Sequence, residues 1–117
     1  MEIVMPRGDY RKIKFEIGNK NKNESVKDIV FDDIYITFKQ YVNNKKALFQ
    51  KRLSNGDINK DEEGYYHFAI LPEDTEKLDY GKYFFDIEVY KKEPLIKQTF
   101  VGILELTPEV TFKENEG

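Results

Sequence analysis

The sequence predicts an all-β protein, an antiparallel two-sheet sandwich of about seven strands. Apolar residues alternate with polar ones in several segments, which is the pattern of half-buried strands. Turn-forming residues separate these segments at intervals of roughly 8–12 residues, and no long helical pattern or internal repeat appears. The 117 residues fit one domain, predicted to span residues 1–112, with a frayed C-terminal tail at 113–117.

Alternation and the turns that end each segment define the strands of the first half. Strand A stops at Pro6, and strand B places Ile13 and Phe15 on one face with charged residues on the other. Strand C carries Ile34 and Phe38 on its apolar face. The full set of predicted strands is A (2–5), B (9–17), C (31–42), C′ (46–53), E (65–71), F (82–91) and G (95–106).

The second half continues the same pattern. Strand C′ is predicted as a strand because it is short and follows a hairpin-like turn, and strands E and F alternate cleanly. Between E and F, residues 72–81 are expected to hold one short helical turn capped by Asp74 or Thr75. Strand G contains Gly102, where we expect a β-bulge.

Composition limits the classes of function. The absence of Cys excludes a disulfide framework and a thiolate metal site. A net charge of −3, with 35% charged residues of both signs, argues against nucleic acid as the main partner. No apolar run approaches the ~20 residues of a membrane span, and the N-terminus lacks the features of a signal peptide. We therefore expect cytoplasmic synthesis, with no nucleic-acid or membrane partner.

Three predicted loops share one end of the sandwich. Because the strands alternate in direction, loops 18–28, 54–64 and 91–94 lie together. Loops on a rigid scaffold often carry binding residues, so this end is a candidate interaction site, and merely solvated loops are the alternative. The candidate interaction residues are Lys20, Lys22, Lys27, Lys91 and Lys92.

One of these loops has a spacing that suits calcium. Asp57, Asn59, Asp61 and Glu63 present oxygen ligands at alternate positions, as at the start of a calcium-binding loop. However, Glu62 occupies the position where the helix-loop-helix form of that site requires glycine, and strands flank the loop. A solvated turn is the alternative interpretation.

No catalytic set emerges from the sequence. His67 is the only histidine, and it lies mid-strand on the face opposite Tyr66 and Phe68 with no nucleophile motif around it. No glycine-rich phosphate loop or paired-histidine zinc motif is present. We expect a protein that is not an enzyme and needs no cofactor.

A tyrosine near the start of strand F refines the predicted fold. Leu78, Gly81 and Tyr83 have the Leu-x-x-Gly-x-Tyr spacing of the tyrosine corner in immunoglobulin-like sandwiches. In that corner the tyrosine hydroxyl binds backbone a few residues upstream. These three residues are therefore predicted to form a structural corner in an immunoglobulin-like sandwich.

The whole-chain pattern resembles small immunoglobulin-like β-sandwich proteins of phages and prophages of Gram-positive bacteria. It is similar to the N-terminal domain of phage upper baseplate proteins, over most of residues 7–107. The resemblance rests on Arg7-Gly8-Asp9, Asp74-Thr75, Leu78, Gly81, Tyr83, Asp86-Ile87, Thr99, Gly102 and Thr107.

The resemblance implies a non-enzymatic structural or interaction module, associated with a tail or baseplate. Its expected partners are other phage structural proteins or a second copy of itself, and strand A or strand G is the expected donor in strand addition to a sheet edge. It would be synthesised in the bacterial cytoplasm and incorporated into the virion. The alternative is a small ligand-binding module, for carbohydrate or calcium, that uses the loop end.

Overall fold

The computed structural model describes residues 1–17 and 29–109 and shows an all-β sandwich, as predicted. The predicted loop 18–28 and tail 113–117 lie outside the described residues. The strands are β1 (Glu2–Pro6), β2 (Arg11–Phe15), β3 (Asp33–Lys39), β4 (Phe49–Arg52), β5 (Ile58–Lys60), β6 (Tyr66–Ile70), β7 (Gly81–Lys91) and β8 (Ile96–Thr107).

Two sheets of unequal size form the sandwich. The larger sheet has the strand order β1-β8-β7-β3-β4, and the smaller one has the order β2-β6-β5. All pairings are antiparallel except that of β1 with β8, which is parallel and corrects the fully antiparallel prediction. A 3₁₀ turn (Leu53–Asn55) and helix α1 (Pro72–Thr75) complete the described elements. In the described part of the chain, neither helical element is long enough to cross a membrane.

The prediction that residues 54–64 form a loop was wrong, because this segment contains β5. Only Ile58 of its three residues is buried, so the period-two pattern was too short to be recognised among charged neighbours. β4 belongs to the larger sheet and β5 to the smaller one, so the segment that joins them passes from one sheet to the other. Both ends of this segment lie near the start of β3, because the Ser54 N–H donates to Asp33 and the Lys60 ammonium donates to the Ile29 carbonyl oxygen.

Aromatic side chains join the two sheets in the core. The ring of Phe38 in β3 stacks on Phe49 with centroids 4.2 Å apart and lies 5.1 Å from Phe85. It also contacts Phe68 of the smaller sheet at 6.3 Å, so one fully buried ring packs against both layers. Phe15 of β2 extends this cluster by packing on Phe68.

Gly102 does not form the predicted bulge. The β7–β8 register runs without interruption, because every β8 residue from 96 to 106 has one partner in β7. Gly102 instead faces the core, where a Cβ atom would lie 2.3 Å from Phe85 Cζ and 2.8 Å from the Met1 carbonyl oxygen. The glycine is therefore needed for close packing of a ring and a neighbouring backbone, and not for a change of register.

We predict that Gly102→Ala destabilises the fold by about 1–3 kcal/mol, because the added methyl group overlaps the Phe85 ring. The measurement is urea unfolding followed by circular dichroism. A smaller side chain at position 85 should relieve the overlap. The double variant Gly102→Ala/Phe85→Leu should therefore lose less free energy of unfolding than the sum of the losses in the two single variants. Additive losses would show that the two residues are not in contact.

Candidate docking edge and the sequence-predicted sites

The predicted corner residues meet where the chain passes from the smaller to the larger sheet. The Tyr83 hydroxyl donates to the Asp79 carbonyl oxygen at 2.7 Å, which is the geometry of a tyrosine corner. Gly81 has φ of 131°, a backbone conformation that residues with side chains rarely adopt. Leu78 packs partly buried against the core. Burial raises the pKa of Tyr83, so its hydroxyl remains a donor over a wide pH range.

Arg7 binds this corner to the chain ends, a role that the sequence did not suggest. Its guanidinium donates to the Leu78 carbonyl oxygen at 3.2 Å, to the Tyr80 hydroxyl at 3.1 Å and to Glu109 at 3.1 Å. The Tyr80 hydroxyl in turn donates to Glu109 at 2.8 Å. The Arg7-Gly8-Asp9 tripeptide is thus a structural turn whose arginine is used within the fold.

The helical turn α1 is present, and Asp74 caps its start from the third helical position, whereas Thr75 has another role. Leu71 is the N-cap residue, and Asp74 accepts a hydrogen bond from the Leu71 N–H at 2.8 Å. Asp74 also forms a mostly buried ion pair with Lys51, 2.7 Å away. Thr75 is fully buried and accepts a hydrogen bond from the Gly8 N–H.

The structure does not gather the predicted calcium ligands. Asp57 accepts the Arg52 N–H, and Asp61 accepts the N–H groups of Glu63 and Tyr65. Both carboxylates therefore stabilise the local turns. Among residues 1–17 and 29–109, no three His, Cys, Asp or Glu side chains form a group that could hold a metal ion.

His67 is half-buried and bound to a carboxylate of its own hairpin. Its Nε2 lies 2.6 Å from Asp61 Oδ2. The hydrogen bond with His67, together with the backbone donors of the turn, lowers the pKa of Asp61 below its usual value. The pair thus closes the β5–β6 turn.

Two of the predicted interaction lysines can be located. The Lys91 ammonium donates to the Val30 carbonyl oxygen at 2.9 Å, and the Lys92 N–H donates to Asp32 at 2.7 Å. Both contacts join the β7–β8 turn to the segment that precedes β3. Lys20, Lys22 and Lys27 lie outside the described residues.

The most open strand edge among the described residues is the first half of β8. β1 covers β8 only from Ile103 to Thr107, and no described strand lies beside residues 96–101. The Ile103 N–H donates to the Met1 carbonyl oxygen, so Ile103 directs its backbone groups away from β7. Because this direction alternates along a strand, Val101, Thr99 and Lys97 also direct their N–H and C=O groups outward.

The other sheet edges are protected. β4 is four residues long and carries the inward-pointing Lys51, and β5 has only three residues. β2 carries three basic residues, and β1 ends in Pro6. Short edges, charges and proline are the usual means of preventing strand addition. Residues 96–101 contain one charge, Lys97, and are the exception.

An apolar cleft opens between the two sheets beside this edge. Its volume is about 190 Å³. Phe100, which is 41% exposed, lies at the open edge, and Val101, which is 66% exposed, lies next to it. The lining residues are Met1, Phe15, Glu16, Ile17, Phe85, Ile87, Phe100 and Val101. The outward N–H and C=O groups of β8 thus lie next to a cleft that can hold an apolar side chain.

The pKa values of two carboxylates on the outer face of the larger sheet are shifted in opposite directions. Burial opposes ionisation of Asp33, but hydrogen bonds from Arg52 and from the Ser54 and Ile34 N–H groups outweigh it and lower its pKa. Asp86, between its strand neighbours on β3 and β8, has a raised pKa because burial disfavours its charge. Ionisation is therefore stabilising at Asp33 and costly at Asp86.

We predict that Tyr83→Phe lowers the free energy of unfolding by about 1–2 kcal/mol, because a carbonyl oxygen at the corner loses its donor. Chemical denaturation measures the change. Tyr80→Phe is the matched control and should have a smaller effect, because the Tyr80 hydroxyl is near solvent. Equal stability of Tyr83→Phe and the unmodified protein would contradict the structural role of the corner.

We predict that Asp33→Asn destabilises the fold at pH 7 and that Asp86→Asn stabilises it. A lowered pKa contributes stability above the unfolded value near 3.8, and this is lost as pH falls through the folded pKa. A raised pKa costs stability above the folded pKa, and this cost disappears as pH falls below 3.8. The difference in free energy of unfolding between each variant and the unmodified protein should therefore decrease in acid. Unfolding measured as a function of pH tests this, and effects of the same sign would contradict it.

No protein-family model matches the sequence, and no curated protein is significantly similar to it. The resemblance to phage sandwich proteins therefore depends on the short motifs of the sequence. The structural features that bear on function are the open edge of β8 and the cleft beside it.

Proposed function

We propose that the protein is a non-enzymatic structural or interaction module of a phage or prophage, associated with the tail or baseplate. The observation that carries this proposal is the open edge at residues 96–101, on a sandwich whose other edges are protected. The phage origin is supported by the sequence resemblance alone. The module is synthesised in the bacterial cytoplasm and becomes part of the virion.

The module acts by accepting a strand from a partner. The outward N–H and C=O groups of Lys97, Thr99 and Val101 offer six hydrogen-bonding positions to an extended chain. Alternate side chains of the added strand point toward the smaller sheet and reach the cleft bordered by Phe100. Backbone bonds supply affinity in this mode, and the cleft selects apolar side chains.

The test is whether the protein is present in purified phage particles. After prophage induction, particles are purified on a density gradient and probed with an antibody against this chain. We expect the chain to co-sediment with tail proteins, and Thr99→Pro to be depleted because it lacks one outward N–H donor. Val30→Lys, a substitution at an exposed residue in the segment that precedes β3, should be retained. Absence of the chain from particles and from their assembly intermediates would overturn the proposal.

A second candidate function, ligand binding, is favoured by a hollow on the outer face of the smaller sheet. This hollow has a volume of about 170 Å³, and it combines the exposed Tyr10 ring with Lys12, Asp57, Asn59 and His67. An aromatic face beside carboxylate and amide groups suits a carbohydrate. The site uses Asp57 and Asn59 of the predicted calcium motif, but on a sheet face instead of a loop.

Calorimetry with a panel of sugars and with Ca²⁺ tests this candidate. Saturable heat with a sugar, lost in both Tyr10→Ala and Asp57→Asn, would support it. Lys14→Ala is the control, because Lys14 lies on the same face and outside the hollow. No heat with any ligand would overturn it.

A further inference from the structure

We propose that the open edge of β8 pairs with the same edge of a second copy of this chain. The two strands run antiparallel about a two-fold axis through Gln98 and join the larger sheets into one. This inference rests on the proposed function and names its partner, since it makes the added strand the chain's own residues 96–101, together with Leu95, the turn residue that precedes them.

The sequence of this edge is symmetric about Gln98. Residues 95–101 read Leu-Ile-Lys-Gln-Thr-Phe-Val, with two apolar residues at each end and three polar residues in the middle. Two identical antiparallel strands centred on Gln98 place Leu95 opposite Val101, Ile96 opposite Phe100 and Lys97 opposite Thr99. Every apolar residue then faces an apolar one, and every polar residue faces a polar one.

The backbone pattern agrees with this register. Lys97 and Thr99 both direct their N–H and C=O groups outward, so each Lys97–Thr99 pair can exchange two hydrogen bonds across the interface. Gln98 directs its backbone groups toward β7 and forms the non-hydrogen-bonded pair at the axis. The pairing ends at Val101, immediately before the part of β8 that β1 covers.

The two neighbouring registers fit less well. Centring the pair on Thr99 places Lys97 opposite Val101 and Gln98 opposite Phe100, so that polar groups face apolar ones. It also brings Ile96 beside Gly102, where the Met1 carbonyl oxygen already lies. Centring the pair on Lys97 sets two ammonium groups against each other, which is destabilising.

The register centred on Gln98 also covers the exposed apolar surface of this region. Leu95 and Val101, 73% and 66% exposed, cover each other on the outer face. Ile96 of the second copy lies beside Phe100 on the inner face, at the mouth of the cleft. The interface is short, so the dimer is expected to be weak and to dissociate on dilution.

Disulfide trapping tests the register directly, because the chain has no cysteine of its own. In Gln98→Cys the two thiols of a non-hydrogen-bonded pair lie within disulfide range, with Cα atoms about 4.5 Å apart. We expect oxidation to give a covalent dimer in high yield. Thr99→Cys is the matched control and should give little, because its thiols are offset along the strands. Preferential trapping of Thr99→Cys would overturn the register, and trapping of neither in the folded protein would overturn the pairing.

Sedimentation velocity over a wide concentration range tests the dimer without a cross-link. The unmodified protein should shift toward dimer as concentration rises. Thr99→Pro removes an outward N–H and keeps the β7 bonds, and Val101→Lys places a charge in the interface. Each should weaken the dimer roughly tenfold or more, whereas Val30→Lys should leave it unchanged. A monomer at every concentration would overturn the pairing.

The two proposals fail in different ways. A chain that is monomeric yet enters phage particles would overturn the self-pairing and leave a strand of another protein as the occupant of the edge. A chain that forms the Gln98-centred dimer yet never enters particles would overturn the phage assignment and leave the dimer intact.

Discussion

The hydrogen bond from the Tyr83 hydroxyl to the Asp79 carbonyl oxygen fixes the position at which β7 enters the larger sheet. β7 pairs with both β3 and β8, so its starting position sets the register of the two strands beside it. A slip of one residue would turn every buried β7 side chain toward solvent. Arg7 extends the same corner to the first turn and to Glu109, so both ends of the described chain depend on it.

Much of the fold could be predicted because its long strands alternate clearly. Tyr83, Phe85, Ile87 and Val89 are buried in β7, as period two predicts for a sheet with one core face. β5 could not be predicted, because one buried isoleucine in three residues carries no measurable period. Gly102 was expected to bend a strand, whereas its role is set by Phe85, which lies seventeen positions earlier in the chain. Contacts between residues this far apart leave no local pattern.

The candidate site was predictable only in outline. Strand A or strand G was expected to take part in strand addition as the donor, but the sequence does not show that β1 covers just half of β8. That limit depends on which residues of two distant segments pair. The role of Arg7 could not be predicted from the sequence either, because its three acceptors come from the corner and the C-terminal segment. By contrast, the symmetric order of residues 95–101 is visible in the sequence once the strand is known to be an edge.

The position of Met1 has a practical consequence for anyone who produces this protein. Its carbonyl oxygen accepts a hydrogen bond from the Ile103 N–H, and the residue borders the cleft beside the uncovered part of β8. An affinity tag fused ahead of Met1 would emerge beside that uncovered backbone. An extended linker there would pair with the β8 edge in place of a binding partner. The purified protein would then be a monomer that does not bind other chains through this edge.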